Sequence, residues 1–141
     1  MAAGRLGGRL PPMANADLIK LLREDIDGWN RWRQDHPDEE VDLSGANLER
    51  CDLAVADLAG VNLSGASLIM ANLKAADLRG ADLSAANLVG ARMIGVDLVN
   101  ADLSGADLRT AEDLTAEQLR ETKGNHETKL PDYIDIPRSW A

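Results

Sequence analysis

A bulky apolar residue returns at every fifth position through the middle of the chain, from Leu43 to Leu108. A small residue, mostly Ala, stands two places before each of these centres, and an Asp or Asn usually lies between the two. A spacing of five matches neither the 3.6-residue period of a helix nor the two-residue period of a strand, so neither element could bury the whole row on one side. The fourteen centres are Leu43, Leu48, Leu53, Leu58, Leu63, Leu68, Leu73, Leu78, Leu83, Leu88, Met93, Leu98, Leu103 and Leu108.

Residues 41–110 divide into fourteen unbroken pentapeptides with these centres at the third place. A fixed short period predicts a solenoid, in which each unit buries its apolar side only by stacking on its neighbours. If the backbone turns a corner once per pentapeptide, the centre and the small first residue both point inward. Gly suits the fifth place because it tolerates the unusual backbone angles of a corner. The glycines at this place are Gly45, Gly60, Gly65, Gly80, Gly90, Gly95 and Gly105.

A slower period of twenty residues indicates the shape of one turn. The segments VDLSG, VNLSG, ADLSA and ADLSG begin at residues 41, 61, 81 and 101. Twenty residues make four pentapeptides, so the sequence predicts a square coil, and no equally clean fifteen-residue echo favours a triangular one. Fourteen pentapeptides then give about 3.5 coils, which are about 17 Å tall at a strand spacing of about 4.8 Å.

The run A(D/N)LXX, as in ANLKAADLRGADLSAANLVG at residues 71–90, resembles the pentapeptide repeat family. The resemblance covers residues 41–110 of the 141-residue chain. It implies an all-β solenoid, a right-handed quadrilateral β-helix with the central apolar and small residues inside. Arg92 and Met93 depart most from the pattern, but Met can fill a central position and Arg92 is expected to reach solvent.

The lower end of such a solenoid needs a cap, because its open strand edges would otherwise invite aggregation. Residues 15–34 have the apolar spacing of one amphipathic helix, which we expect to close this end. Asn15 is a suitable N-cap, whereas Gly28 costs about 1 kcal/mol relative to Ala inside a helix. The apolar face consists of Leu18, Leu21, Leu22, Ile26, Trp29 and Trp32.

The upper end is expected to carry a short helix and an extended tail. Thr115 and Gln118 form a capping-box pattern for a helix over 116–122, and the tail beyond it is too apolar to be free. We expect the tail to cross the upper end or to run down one side. The predicted organisation is a disordered leader (1–14), a capping helix with linker (15–40), the β-helix (41–110), and a C-terminal cap with tail (111–141).

Composition narrows the classes of function. The net charge is −9, and an acidic chain gains nothing from the attraction to phosphates that drives nucleic-acid binding. We therefore expect no direct nucleic-acid binding and a protein partner with a basic surface. No apolar run reaches about 18 residues, which argues against a membrane span. The opening MAAGRLGGRLPP lacks the apolar region of a signal peptide, so we expect a cytoplasmic protein, with Met13 as a candidate first residue.

No pattern of residues indicates catalysis, a cofactor or a metal. Cys51 is the single cysteine and occupies an inward small-residue place, where we expect it to pack rather than to react. His36 and His126 lie in opposite flanks and form no ligand spacing with other residues. The sequence therefore predicts a protein with no enzymatic activity and no cofactor.

Three carboxylates form one candidate surface feature, a possible acidic ladder. Asp57, Asp77 and Asp97 should stack about 4.8 Å apart on one side of the coil. Such a ladder could hold a cation or resemble the phosphate strip of DNA. Alternatively these side chains simply bond the backbone at the corners, which the repeat demands everywhere, and we favour this second interpretation.

Apolar residues at outward places form the other candidate feature, a possible partner surface. The residue after each centre is mostly polar, but several in the upper turns are aliphatic. They could form a patch for a partner or for self-association. They could also be scattered surface aliphatics or be covered by the C-terminal tail. The residues are Ile69, Met70, Val89, Ile94 and Val99.

Two functional hypotheses follow. The first is a non-enzymatic protein-binding or scaffold module of the bacterial cytoplasm, a monomer or weak dimer that presents flat faces and no pocket. The second comes from the resemblance, since some family members are thought to mimic DNA and to occupy the basic groove of type II topoisomerases such as gyrase. A block of about 17 Å spans only half of a DNA turn of about 34 Å, and nine acidic against five basic residues in the repeats is a thin charge for a phosphate mimic.

Overall fold

The computed structural model describes residues 15–140, so the leader predicted over residues 1–14 lies outside the described residues. Parallel β-bridges connect residues twenty positions apart in the repeats: Asp42 pairs with Asn62, and Asp82 pairs with Asn62 and Asp102. The chain therefore returns to the same wall after four pentapeptides. Within the described residues the pairing consists of isolated bridges and not of continuous strands, because the backbone turns a corner in every pentapeptide.

The four walls of the coil are named here by their first pentapeptide, and each recurs at intervals of twenty residues. Two columns of side chains from every wall fill the interior. The fourteen centres are at most 1% exposed, and the small residues at the first place are at most 8% exposed, which confirms both predicted inward places. Met93 is fully buried as a centre, and the side chain of Arg92 is exposed, as expected. The walls are side A (41–45), side B (46–50), side C (51–55) and side D (56–60).

The hydrogen bonds between coils have a fixed direction. On side D the N–H of Asp77 donates to the carbonyl of Ala56 at 3.0 Å, and the carbonyl of Asp77 accepts from the N–H of Leu58 at 2.8 Å. The N–H of Leu78 then donates upward to the carbonyl of Asp97 at 2.9 Å. Each second-place residue thus points its N–H and C=O toward the lower end, and each centre points its N–H toward the upper end. The first and last coils therefore need partners from outside the repeats.

The corners depend on the fifth residue of each pentapeptide. All fourteen fifth-place residues have φ between 57° and 71°, in the left-handed region. Half of them are the predicted glycines, and the other half are not. A β-branched residue such as Val55, with φ of 57°, is strained in this conformation. The residues other than glycine are Arg50, Val55, Met70, Ala75, Ala85, Asn100 and Thr110.

Two separate substitutions at neighbouring corners, Val55→Gly and Gly60→Val, should change the stability of the protein in opposite directions. We expect Val55→Gly to raise the free energy of unfolding by about 1 kcal/mol, because the relieved strain exceeds the entropy that Gly adds to the unfolded chain. Gly60→Val should lower it by at least about 1 kcal/mol, since Gly60 has φ of 70° and a Cβ there would meet no atom within 4 Å. Urea unfolding followed by circular dichroism measures both, and shifts of the same sign would contradict the prediction.

Two helices replace the single helix predicted over residues 15–34. They are α1, Asn15–Glu24, and α2, Ile26–Asp35. Asp25 leaves the helical conformation, with φ of −152° and ψ of 85°, and its carboxylate accepts the N–H of Gly28 at 2.9 Å as the N-cap of α2. A Cβ on Gly28 would overlap this carboxylate, so the residue predicted as a weakness is the one that the cap requires.

Side chains of α2 occupy the unpaired lower edge of side D. The indole N–H of Trp29 donates to the carbonyl of Asp57 at 2.8 Å. Asn30 accepts the N–H of Asp57 at 2.8 Å and donates to the carbonyl of Val55 at 3.1 Å. Its side-chain amide therefore makes the hydrogen bonds that a peptide group of a coil below would otherwise make. Arg33 donates to the carbonyl of Ala59. Residues 26–35 therefore close the lower end with hydrogen bonds as well as with apolar contacts.

The helices also cover the interior of the first coil. Leu18, Leu22 and Trp29 are buried, with at most 4% of each exposed. Leu21, Ile26 and Trp32 of the predicted apolar face are partly buried against the same core, as is Ile19. Most of the predicted apolar face therefore contributes to the cap, although the two helices divide it.

A 3₁₀ helix at Glu117–Leu119 takes the place of the short helix predicted over residues 116–122. The capping box that predicted it is present: the N–H of Thr115 donates to Gln118 Oε1 at 2.8 Å, and the N–H of Gln118 donates to Thr115 Oγ1 at 3.2 Å. Gln118 Nε2 also donates to the carbonyls of Met93 and Val96 at 2.8 and 3.0 Å. These extra bonds hold one tight turn against the last coil, which explains why the helix is short.

The chain beyond this turn stacks on the last coil. Lys123 bridges to Asp102 and Lys129 bridges to Asp107, both in parallel orientation. A second 3₁₀ helix spans Arg138–Trp140, and the Trp140 side chain is 7% exposed. The tail therefore contacts the last coil through Lys123 and Lys129, and its Trp140 side chain is buried, whereas Tyr133 and Ile136 are exposed.

Candidate partner-binding surfaces

The three carboxylates of the predicted acidic ladder stand in one column on side D. Asp57 bridges to Asp77, and Asp77 bridges to Asp97. Arg79 Nη2 lies 2.6 Å from Asp77 Oδ2, and Arg79 Nε lies 3.9 Å from Asp97 Oδ2. Arg33 Nε lies 3.9 Å from Asp57 Oδ1. Two guanidinium groups therefore lie within 4 Å of the three carboxylates, so the net negative charge of the column is smaller than its carboxylates alone would give.

These carboxylates also bond the backbone at the corners. Oδ1 of Asp57 accepts the N–H of Ala59 at 3.2 Å, and the same contact recurs between Asp97 and Val99 at 3.2 Å. The hydrogen bond from Arg79 holds the pKa of Asp77 below its usual range. In the structure, each of the three carboxylates therefore bonds the backbone at a corner.

Cys51 is buried, and His36 is held at the end of a helix. Cys51 is 8% exposed, and burial raises the pKa of its thiol, which suppresses the nucleophilic thiolate. His36 ends α2, where its ring stacks on Trp32 with centroids 4.7 Å apart. Among residues 15–140, no group of three or more His, Cys, Asp or Glu side chains is arranged to hold a metal ion. Neither helix in this range has the length and apolar composition that a bilayer crossing requires.

The five residues of the predicted partner surface fall into two groups. Ile69, Met70 and Val89 lie at the corner between sides B and C, where the N–H of Met70 donates to the carbonyl of Val89 at 2.9 Å. Met70 is 48% exposed, and its sulfur lies where a Cβ of Gly90 would be. Ile69 and Val89 are half-buried, so Met70 supplies most of the accessible apolar area of this corner patch.

Ile94 and Val99 form the second group, on the next two walls. Ile94 is 49% exposed on side C, and Val99 is 36% exposed on side D. Both line one cleft with a volume of about 560 Å³, here named the upper cleft. It opens where residues 115–121 bend away from side D instead of continuing the coil. Its lining includes Ile94, Gly95, Leu98, Val99, Gln118 and Glu121.

A second hollow of about 740 Å³ adjoins the upper cleft. Ile94, Asp113 and Thr115 line both, and the hollow continues to Tyr133. The Tyr133 hydroxyl donates to the carbonyl of Ala111 at 2.6 Å, yet the residue is 58% exposed. The sequence pattern predicted neither cavity, because both depend on the path of the chain after the last pentapeptide.

Comparison with known proteins identifies the family. The family described as pentapeptide repeats matches residues 39–74 and 76–111, with eight copies of the motif. Among curated proteins, none matches the chain significantly. The matched segments together make up just over half of the chain.

Solved structures of the same kind resemble this chain. A pentapeptide repeat protein from the Arabidopsis thaliana thylakoid lumen is 30% identical, with 69% of this chain and 64% of that chain covered and a TM-score of 0.49. One from Nostoc PCC 7120 is 31% identical, with 69% and 75% covered and a TM-score of 0.35.

QnrB1, a plasmid-mediated fluoroquinolone resistance protein, is 22% identical, with 67% of this chain and 62% of that chain covered and a TM-score of 0.33. This chain thus spans less than two thirds of the length of QnrB1 and of the thylakoid protein. The repeats themselves carry the assignment: this chain belongs to the pentapeptide repeat family, and its stacked coils form a right-handed β-helix.

Proposed function

We propose that this protein is a non-enzymatic protein-binding or scaffold module. The observation that carries the proposal is a hydrogen-bonded tube that holds large aliphatic side chains outward. Met70, Ile94 and Val99 are 48%, 49% and 36% exposed at backbone positions fixed by the coil. Side chains on a rigid scaffold lose little freedom on binding, which favours recognition of another macromolecule. Broad walls also suit a protein partner better than a small substrate.

In this protein, residues 41–110 form about 3.5 coils of a quadrilateral β-helix. Residues 15–40 close its lower end, and residues 111–141 close its upper end. The protein acts in the cytoplasm without a cofactor. Side chains from both caps bond the terminal coils, as Asn30 does below and Gln118 does above. Because these bonds block end-to-end strand pairing, the protein is expected to be a monomer or weak dimer.

A capture experiment with a surface variant tests this function. Each outward apolar residue is replaced by the residue that occupies the same place in a neighbouring coil, so the fold is preserved. Wild-type protein should retain a specific protein from a lysate of its own host, and the purified pair should bind at least about tenfold more weakly with this swapped variant. The substitutions are Ile69→Glu, Met70→Arg, Val89→Arg, Ile94→Lys and Val99→Arg.

Ser44→Lys is the matched control, because Ser44 is exposed on side A of the first coil, whereas the substituted residues lie on sides B, C and D. It should leave the affinity unchanged within about twofold. The proposal fails if wild-type protein retains no specific partner, or if the swapped variant retains that partner as strongly as wild type does.

DNA mimicry of a type II topoisomerase is the alternative. The net charge of −9 and the column of carboxylates on side D favour it. The guanidinium groups of Arg33 and Arg79, each within 4 Å of a carboxylate of that column, oppose it. A supercoiling assay with gyrase distinguishes the two functions, because a mimic inhibits or protects the enzyme and a binding module of the first kind has no effect.

A further inference from the structure

We propose that the upper cleft binds an extended, basic segment of a protein partner that carries aliphatic side chains. This inference rests on the proposed function and names the surface and the chemistry of the partner. Three features of the cleft support it: unpaired backbone donors, an apolar floor and an acidic rim.

The first feature is a gap in the hydrogen bonding of the last coil. The N–H of each centre on side D donates to the coil above, as Leu58 does to Asp77 and Leu78 does to Asp97, at 2.8 and 2.9 Å. The N–H of Leu98 has no acceptor among residues 15–140. Pairing resumes at Asn100, whose N–H donates to the carbonyl of Glu121 at 2.7 Å. The gap is therefore local to the cleft.

The N–H of Gly95 lies in the same gap. Its counterparts lower on side C, Val55 and Ala75, donate to the carbonyls of Lys74 and Ile94, both at 2.9 Å. No described residue accepts from Gly95. An unpaired donor at a β-edge is a site at which an added extended segment can supply a carbonyl.

Gln118 satisfies the opposite set of groups at this edge. Its Nε2 donates to the carbonyls of Met93 and Val96, so these two acceptors are occupied, whereas the N–H groups of Leu98 and Gly95 have no acceptor among residues 15–140. The same side chain is held by Thr115, which fixes the rim of the cleft in advance. An occupant must therefore bring carbonyl groups, and it meets a preorganised site.

The floor of the cleft is apolar. Ile94 and Val99 project into it from the rigid coil, and the Tyr133 ring stands at the far end of the adjoining hollow. Each cavity, at about 560 and 740 Å³, can accept one or more aliphatic side chains of a segment lying along the edge.

The rim is acidic. Among the residues that the structure describes, five carboxylate side chains and one basic side chain, Arg120, line the two cavities. Two arginines each stand 3.9 Å from one rim carboxylate, Arg120 from Glu117 and Arg79 from Asp97, and both pairs are exposed and therefore weak. Five carboxylates thus face two guanidinium groups, and the rim remains acidic. Electrostatic complementarity therefore favours Lys or Arg side chains in the occupant. The carboxylates belong to Asp97, Glu112, Asp113, Glu117 and Glu121.

A fluorescent hexapeptide of alternating Lys and Leu residues tests the proposal against the full chain. It should bind saturably, and the acidic peptide of alternating Glu and Leu should not. Ile94→Lys combined with Val99→Arg should weaken binding at least about tenfold. Lys74 and Arg79 occupy the same places one coil below, so both substitutions are compatible with folding. Ser44→Lys, which adds a positive charge on the exposed surface of side A in the first coil, is the remote control and should change binding less than about twofold.

Amide hydrogen exchange identifies the contact. The N–H groups of Leu98 and Gly95 should exchange rapidly in the free protein and at least about tenfold more slowly with the peptide bound. Protection of both in the free protein would overturn the proposal, because residues 1–14 or a second copy would then already occupy the cleft. Equal peptide binding by the cleft variant and the Ser44→Lys control would also overturn it. In either case, retention of the captured host partner would leave the protein-binding function standing.

Discussion

Replacing Trp29 with Ala should lower the free energy of unfolding by about 3–5 kcal/mol, a large fraction of the stability of a small domain. The side chain is fully buried between α2 and the first coil, so truncation leaves a large cavity. It also removes the hydrogen bond from the indole N–H to the carbonyl of Asp57, which then faces the lower end without its partner. Urea unfolding followed by far-ultraviolet circular dichroism measures the loss.

Trp29→Phe separates the two contributions of this residue. Phe retains most of the apolar contact but cannot donate to Asp57, so we expect it to cost about 1–2 kcal/mol. A loss below about 1 kcal/mol for Trp29→Ala would mean that α2 contributes little to the closed lower end. Similar losses for the two substitutions would assign the effect to the hydrogen bond and not to packing.

The sequence was sufficient to predict the coil because two regular periods, of five and of twenty residues, determine its interior and its shape. A centre such as Leu78 and a small residue such as Ala76 recur every five residues, and the second, twenty-residue period indicates which residues share a wall. Stacked repeats contact only their neighbours, so a local pattern determines the global arrangement. The bridges between Asp57, Asp77 and Asp97 have the predicted twenty-residue register.

The caps were harder to predict because single side chains decide their structure. The apolar spacing of residues 15–34 continues through Asp25, yet its carboxylate caps a second helix there. Gln118 was recognised only as part of a capping box, although its amide also satisfies the carbonyls of Met93 and Val96. Such long-range hydrogen bonds leave no periodic signal in the sequence.

The candidate surfaces also combine features that the repeat pattern predicts with features that it does not. The exposure of Met70, Ile94 and Val99 follows from their outward places, which the repeat defines. The upper cleft depends on where the chain departs from the coil after Thr115, and no repeat pattern extends that far. The departure of Arg92 from the motif is a weak signal nearby, since Arg92, like Ser67, replaces the Asp or Asn that accepts the N–H two residues later in the other twelve pentapeptides.

Replacing Leu78 with Ala should lower the free energy of unfolding by about 2–5 kcal/mol. Leu78 is fully buried, and it stacks in one column between Leu58 and Leu98. The backbone of this column is held from below and above by hydrogen bonds, so the walls cannot collapse into the cavity, and the loss should lie in the upper half of that range. Urea unfolding measured as for Trp29→Ala gives the value.

Leu78→Met is the informative comparison, because Met93 already fills a central place in this chain. It conserves volume and should cost less than about 1.5 kcal/mol, while Lys74→Ala on the exposed surface should cost less than about 0.5 kcal/mol. A cost for Leu78→Ala as small as that of Lys74→Ala would mean that the coil tolerates a missing centre. The columns of leucine would then contribute less to stability than the stacked backbone hydrogen bonds, and the periodic pattern would specify the shape of the coil without supplying most of its stability.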